Sequence, residues 1–108
     1  MTRGTIVWVD LSDAKPPEMG KRRQAVIVSS SAHNLVLDSV VGIPLSSVPP
    51  EIPPLRVRVQ PRGLEGPSFA VVPGMRQLKK SRILRVVGAL NTSDITALDK
   101  AVRDYLSD

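Results

Sequence analysis

Apolar positions in this chain fall in short runs of period two or less, broken by proline and glycine, until helical spacing appears near the C-terminus. Thr5 to Asp10 (TIVWVD) reads as a first strand, and the polar stretch Leu11 to Gly20, with Pro16, Pro17 and Gly20, as a long mobile loop. Gln24 to Ser29 (QAVIVS) is nearly all apolar, which predicts a central strand covered on both faces. Ser30 to Asn34 then predicts a turn, and Leu35 to Leu45 a further strand that Gly42 and Pro44 bend or finish. Pro49 to Pro54 (PPEIPP) has four prolines in six residues and reads as a stiff connector outside any sheet. Leu55 to Gln60 (LRVRVQ) alternates, so Leu55, Val57 and Val59 should face inward and Arg56 and Arg58 water or a ligand. After a turn over Pro61 to Pro67, Ser68 to Val72 and Arg85 to Leu90 read as the last two strands. Ile95, Leu98, Val102 and Leu106 recur at helical spacing, predicting a helix over Thr92 to Leu106 with Thr92 or Ser93 as N-cap. The expected fold is mainly β: a small SH3-like β-barrel with a C-terminal α-helix.

The 108 residues suit one domain spanning 1–108. With only Trp8, Phe69 and Tyr105 aromatic, the core must come from Val, Ile, Leu and Ala, and Trp8, in the first strand, is expected to belong to it. The net charge of +5 is uneven: Met1 to Gly88 carries thirteen basic and six acidic residues, Ala89 to Asp108 two basic and four acidic. A positive field before the last helix concentrates polyanions such as nucleic acid or an acidic protein, or serves only solubility. The chain has no cysteine and a single histidine, His33, which argues against disulfides, thiolate metal sites and most other metal chemistry, so no metal or cofactor is expected. No apolar run approaches the roughly 18 residues of a membrane span and no leader pattern precedes Thr5, so a cytoplasmic protein without a membrane partner is expected.

Four stretches together resemble the MazF/PemK family of toxins. Arg3 to Leu11 (RGTIVWVDL) is similar to that family's opening RGDIVWVDL, and Glu18 to Ser29 (EMGKRRQAVIVS) to its EQxGxRPAVVLS. Asn34 falls where an Asn is expected, Ile43 to Ser47 (IPLSS) resembles Pro-x-Thr-Ser or Pro-x-Thr-Thr, and Arg76 to Arg82 (RQLKKSR) loosely matches R-T-x-D-x-x-R. The resemblance covers nearly the whole chain. It implies a CcdB/MazF-like barrel that forms a homodimer, cleaves single-stranded RNA without metal, and is held inactive by an acidic antitoxin protein. It also implies that Arg23 and Ser46 sit at the reacting phosphate. The chain departs from the family pattern at Gln24 in place of Pro, at Gly20 as the displaced Gly, and at Ser46 in place of Thr. Some members use an Arg and an Asp late in the fifth strand, where this chain has Val71 and Pro73.

In such a reaction the 2′-hydroxyl attacks the neighbouring phosphate, leaving a cyclic phosphate and a free 5′-hydroxyl. The protein must align the attack and neutralise charge growing on the phosphate oxygens. A guanidinium meets the second need with two parallel hydrogen bonds, which makes Arg23 the main candidate, although a guanidinium is a poor proton shuttle. Ser46 would position the phosphate or the 2′-hydroxyl. Glu18, on the long loop, and His33 are the conventional base candidates. Lys21, Arg22 and Ser47 beside the site, and the second basic cluster Arg76, Lys79, Lys80 and Arg82, are the expected RNA contacts. The missing late fifth-strand pair and Gln24 leave a rival open: a barrel that binds RNA without cutting, or that acts on gyrase as the related CcdB toxin does. A third reading is a structural barrel within a larger assembly.

Overall fold

The computed structural model describes residues 1–11 and 21–108. Seven strands form one antiparallel sheet that is not closed: β1 (Thr5–Leu11), β2 (Lys21–Ile27), β3 (Ser39–Ser46), β4 (Arg56–Val59), β5 (Ser68–Val71), β6 (Arg76–Lys79) and β7 (Ile83–Ala89). Their order is β4-β5-β3-β2-β1-β7, with β6 also paired to β3. Two helices complete the described chain: α1 (Ser31–Val36), between β2 and β3, and α2 (Thr92–Leu106) at the C-terminus. Single 3₁₀ turns follow β5 at Val72–Gly74 and β6 at Lys80–Arg82. No helix among the described residues is long and apolar enough to cross a membrane.

Strand alternation builds two apolar clusters on opposite faces of the β1–β2–β3 core. Ile6, Val26, Ile43 and Leu45 point to one side and meet Val57, Val59 and Ala70 from β4 and β5, closed at one end by Leu90, Leu98 and Ala101. Val7, Val9, Leu11, Ala25, Ile27, Val40 and Leu78 form the second cluster. Both faces of β2 are therefore covered, as its continuous apolar run requires. Val57 and Val59 face inward and Arg58 outward, as the alternation predicts, whereas Leu55 precedes β4 and is exposed.

Pro44 lies inside β3 instead of ending it. The Val41 carbonyl accepts from the Val28 amide at 2.9 Å, so odd-numbered backbone groups of β3 face β2 and the Pro44 nitrogen faces the other edge. On that edge β6 pairs as far as Gly42, and β5 pairs from Leu45 onward. Pro44 falls in the gap between them, where a missing N–H removes no ladder bond.

The expected strand over Leu35 to Leu45 begins only at Ser39, because residues 31–36 are helical. The Ser30 hydroxyl caps α1 by accepting from the His33 amide, and Asn34 is 1% exposed with its side chain fully engaged. Its amide nitrogen donates to the carbonyls of Met1 (3.0 Å) and Ser29 (3.1 Å), and its oxygen accepts from the Ser29 hydroxyl (2.6 Å). Helix α2 has the expected span, but its N-cap is Asn91, whose side chain accepts from the Asp94 amide at 2.8 Å. Arg3 joins α2 to the sheet, donating to the Val28 carbonyl and pairing with Asp99.

Candidate functional site

The ladder between β2 and β3 pairs Ala25 with Pro44, Val26 with Ile43 and Ile27 with Gly42. Continuing the same antiparallel offset brings Arg23 level with Ser46. Both residues alternate onto the face that carries Ala25 and Pro44, since side chains two apart on a strand share a face. Beyond β3 the row continues, because Ser46 pairs with Phe69 and Phe69 with Arg58; on the other flank Arg23 pairs with Val9. A half-buried guanidinium and a half-buried hydroxyl, 23 positions apart in the sequence, thus stand in one lateral row with exposed Arg58 at its far end.

Local bonds fix the roles these groups can play. The Ser46 oxygen accepts from the Val48 amide at 3.1 Å, which occupies one lone pair and leaves the hydroxyl proton to donate. Among the described residues Arg23 forms no ion pair with a carboxylate. Arg56, on the strand beyond β5, donates to the carbonyls of Val48 (2.5 Å) and Pro50 (3.1 Å) and pins the proline-rich connector that leaves Ser46. Arg58 contributes a backbone bond to the same connector, donating from its amide to a Glu51 carboxylate oxygen at 2.9 Å.

On the same face, beside this row, lies a largely apolar cavity of about 660 Å³. It occupies the gap between β5 and β6, with Pro44 and Ala25 on one side and Val71, Pro73 and Met75 on the other, and with Arg76 and Gln77 among its walls. Val71 and Pro73, at the positions where the family resemblance points to an Arg and an Asp, supply apolar wall here and no acid or base.

The remaining sequence candidates separate. Arg22 is exposed and pairs across the ladder with Asp10, on the face opposite Arg23, while the backbone of Lys21 pairs with Leu11 at the end of the same ladder. Ser47 is exposed beside Ser46. Glu18 lies outside the described residues. His33 is exposed on α1, where its ring nitrogen contacts the Ser30 hydroxyl at 2.8 Å and so serves the helix start. The second basic cluster does not act as one surface. Lys79 is exposed, but the Lys80 ammonium is bound to the Asn34 carbonyl and Arg82 donates to the Asp10 carbonyl, while Arg76 turns toward the cavity. Strand β6, which holds Arg76 and Lys79, has Leu78 as its one buried apolar residue, and that single position is too little for a periodicity signal; Lys80 and Arg82 lie in the 3₁₀ turn that follows.

Trp8 does not join the core. It is half-buried, outside both apolar clusters, and flanked across the ladder by Gln24 and Arg85. Alternation puts Trp8 on the face of buried Ile6, and it is the polar neighbours Gln24 and Arg85, known only from the strand pairing, that place it beyond the edge of that cluster.

Comparison with known proteins bears on what this arrangement is. At 27% identity over 113 residues, covering 98% of this chain and 96% of the relative, it is similar to Endoribonuclease MazF9 of Mycobacterium tuberculosis. Its fold matches MazF (Form-I) from Deinococcus radiodurans with a TM-score of 0.84 and 20% identity, over 98% of this chain and 96% of the other. It also matches an endoribonuclease in complex with its cognate antitoxin from Mycobacterial species, with a TM-score of 0.81 and 21% identity, over 98% and 94%. The family model for the PemK-like, MazF-like toxin of type II toxin-antitoxin systems matches residues 2–106, and the chain belongs to that family.

Proposed function

We infer that this chain is the toxin endoribonuclease of a type II toxin–antitoxin system, cleaving single-stranded RNA without a metal ion. The observation that carries the reading is the lateral row holding Arg23 and Ser46 on one face of the sheet, combined with the family membership. In this reading the Arg23 fork binds the non-bridging oxygens of the scissile phosphate and offsets the charge that grows as the 2′-oxygen attacks. The Ser46 hydroxyl, its oxygen engaged by the Val48 amide, donates to the same phosphate and holds it in line. Arg58, Lys79 and Arg22 supply exposed positive charge for flanking phosphates. Glu18 remains the proposed proton acceptor.

The family membership supports an acidic antitoxin as protein partner and a homodimer as the working form. Leu35 and Val36 on α1 (both 77% exposed) and Leu84 and Val86 on β7 (46% and 61%) flank the 3₁₀ turn that Lys80 ties to α1. They supply apolar area suited to a second copy. A non-cleaving or gyrase-binding module is the weaker reading, because the relative is named an endoribonuclease. The test is incubation of the purified protein with long single-stranded RNA in a chelator. Products with cyclic-phosphate ends are expected, and no cleavage of several long RNAs by folded protein would refute the activity.

A further inference from the structure

We propose that Trp8 is a stacking platform for a base of single-stranded nucleic acid, on the sheet face opposite Arg23. Val7 and Val9, its neighbours in the chain, are fully buried at 0% exposure, yet the much larger indole between them is left half-buried and outside both apolar clusters. Its partners across the two adjacent strands are an amide, Gln24, and an exposed guanidinium, Arg85. The next rung on that face adds exposed Arg22 opposite Asp10, and Asp10 has contacts of its own within the protein. A wide apolar ring set between a group that can read a base edge and two exposed guanidinium groups is the combination that unpaired nucleotides bind: ring faces take the base and guanidinium groups take the backbone.

The placement also connects to the reacting row. Arg23 and Gln24 are consecutive on β2, so they point to opposite faces, and the β1–β2 ladder ends at Leu11 and Lys21, about three rungs or roughly 10 Å from Trp8. Arg23 and Trp8 therefore stand on opposite faces of the same end of the β1–β2 ladder. This deepens the reading that the ligand is single-stranded RNA and rests on it.

Trp8 is the only tryptophan in the chain, so its emission reports this face alone. The experiment titrates the wild-type protein with an end-labelled single-stranded DNA oligonucleotide, which lacks the 2′-hydroxyl and is not cut, recording label anisotropy and tryptophan emission together. Emission should be quenched in parallel with the rise in anisotropy. Trp8→Leu should weaken oligonucleotide binding and raise the KM for RNA about tenfold with kcat unchanged, and Trp8→Phe should restore most of the loss. If Trp8→Leu fails to fold, the wild-type titration and Trp8→Phe carry the test. Binding with unchanged emission overturns the proposal, as does wild-type affinity in a folded Trp8→Leu protein. RNA cleavage with a silent tryptophan removes this proposal and leaves the nuclease intact, whereas a quenched tryptophan without cleavage does the reverse.

Discussion

Removing Arg23 and Ser46 singly and together tests whether they act on one phosphate. Arg23→Ala deletes a charged fork that has no carboxylate partner among the described residues, so no ion pair described there is broken by its loss. Hydrogen bonds to charged groups contribute about 1.5–3 kcal/mol, so the expected loss in kcat/KM is at least about tenfold and up to about 150-fold. Ser46→Ala deletes one neutral donor and an exposed bond to the Val48 amide, worth about 1 kcal/mol or roughly fivefold. Because the two residues stand level across β2 and β3, the double variant should lose less than the product of the single losses, with a coupling of about 0.5 kcal/mol or more. The assay is single-turnover cleavage of one defined RNA by all four proteins, with melting curves to confirm that each is folded. Strict multiplication of the two effects, or an Arg23→Ala enzyme within twofold of wild type, would refute a shared phosphate site.

Asn34→Ala should cost about 1–3 kcal/mol in urea unfolding, because it strands the Met1 and Ser29 carbonyls at a buried position, and Asn34→Asp should cost more by setting a carboxylate against them. Leu98→Ala, at 2% exposure where α2 closes the larger cluster, should cost about 2–5 kcal/mol and lower Tm by at least about 8 °C; a smaller fall would mean the helix is weakly docked. Arg56→Ala frees the Val48 and Pro50 carbonyls, so cleavage should fall a few-fold with Tm nearly unchanged; a large Tm loss with normal kcat would show that the connector matters to folding and not to Ser46.

What could be read from the sequence followed the strength of the local signal in composition and spacing. Strand β1 was legible from its run of β-branched and aromatic residues, and helix α2 because its apolar residues keep helical spacing over fifteen positions. Helix α1 was not, because Leu35, Val36 and Leu37 have strand-like composition. What makes them helical is the Ser30 cap and the long-range bonds of Asn34, which no local pattern contains. Strand β6 was hidden for a different reason: four residues with one buried apolar side chain read as a basic cluster, and Lys80 and Arg82 beyond it are bound to carbonyls from distant segments. For the site, family resemblance singled out Arg23 and Ser46, but their lateral alignment is a property of register. Arg58 enters the row only through the pairing of Phe69 with both β3 and β4.

The break along the outer edge of β3 links the fold to the site. Strands β5 and β6 run along that one edge as a single path interrupted by the 3₁₀ turn at Val72–Gly74, and Pro44 stands in the gap in their pairing. Each side of the break carries a proline, Pro73 in the turn and Pro44 on the strand, so neither offers an amide that the other would have to satisfy. An uninterrupted ladder would have filled this space with backbone; the break leaves the cavity that Pro44, Val71, Pro73 and Met75 enclose. Past the break β3 regains a partner in Phe69, and that pairing holds Ser46 in a regular strand at the rung where Arg23 stands on β2. The imino acids that look like strand breakers in the sequence therefore allow one strand to serve two parts of the sheet, and its last residue to be fixed beside a guanidinium from far earlier in the chain.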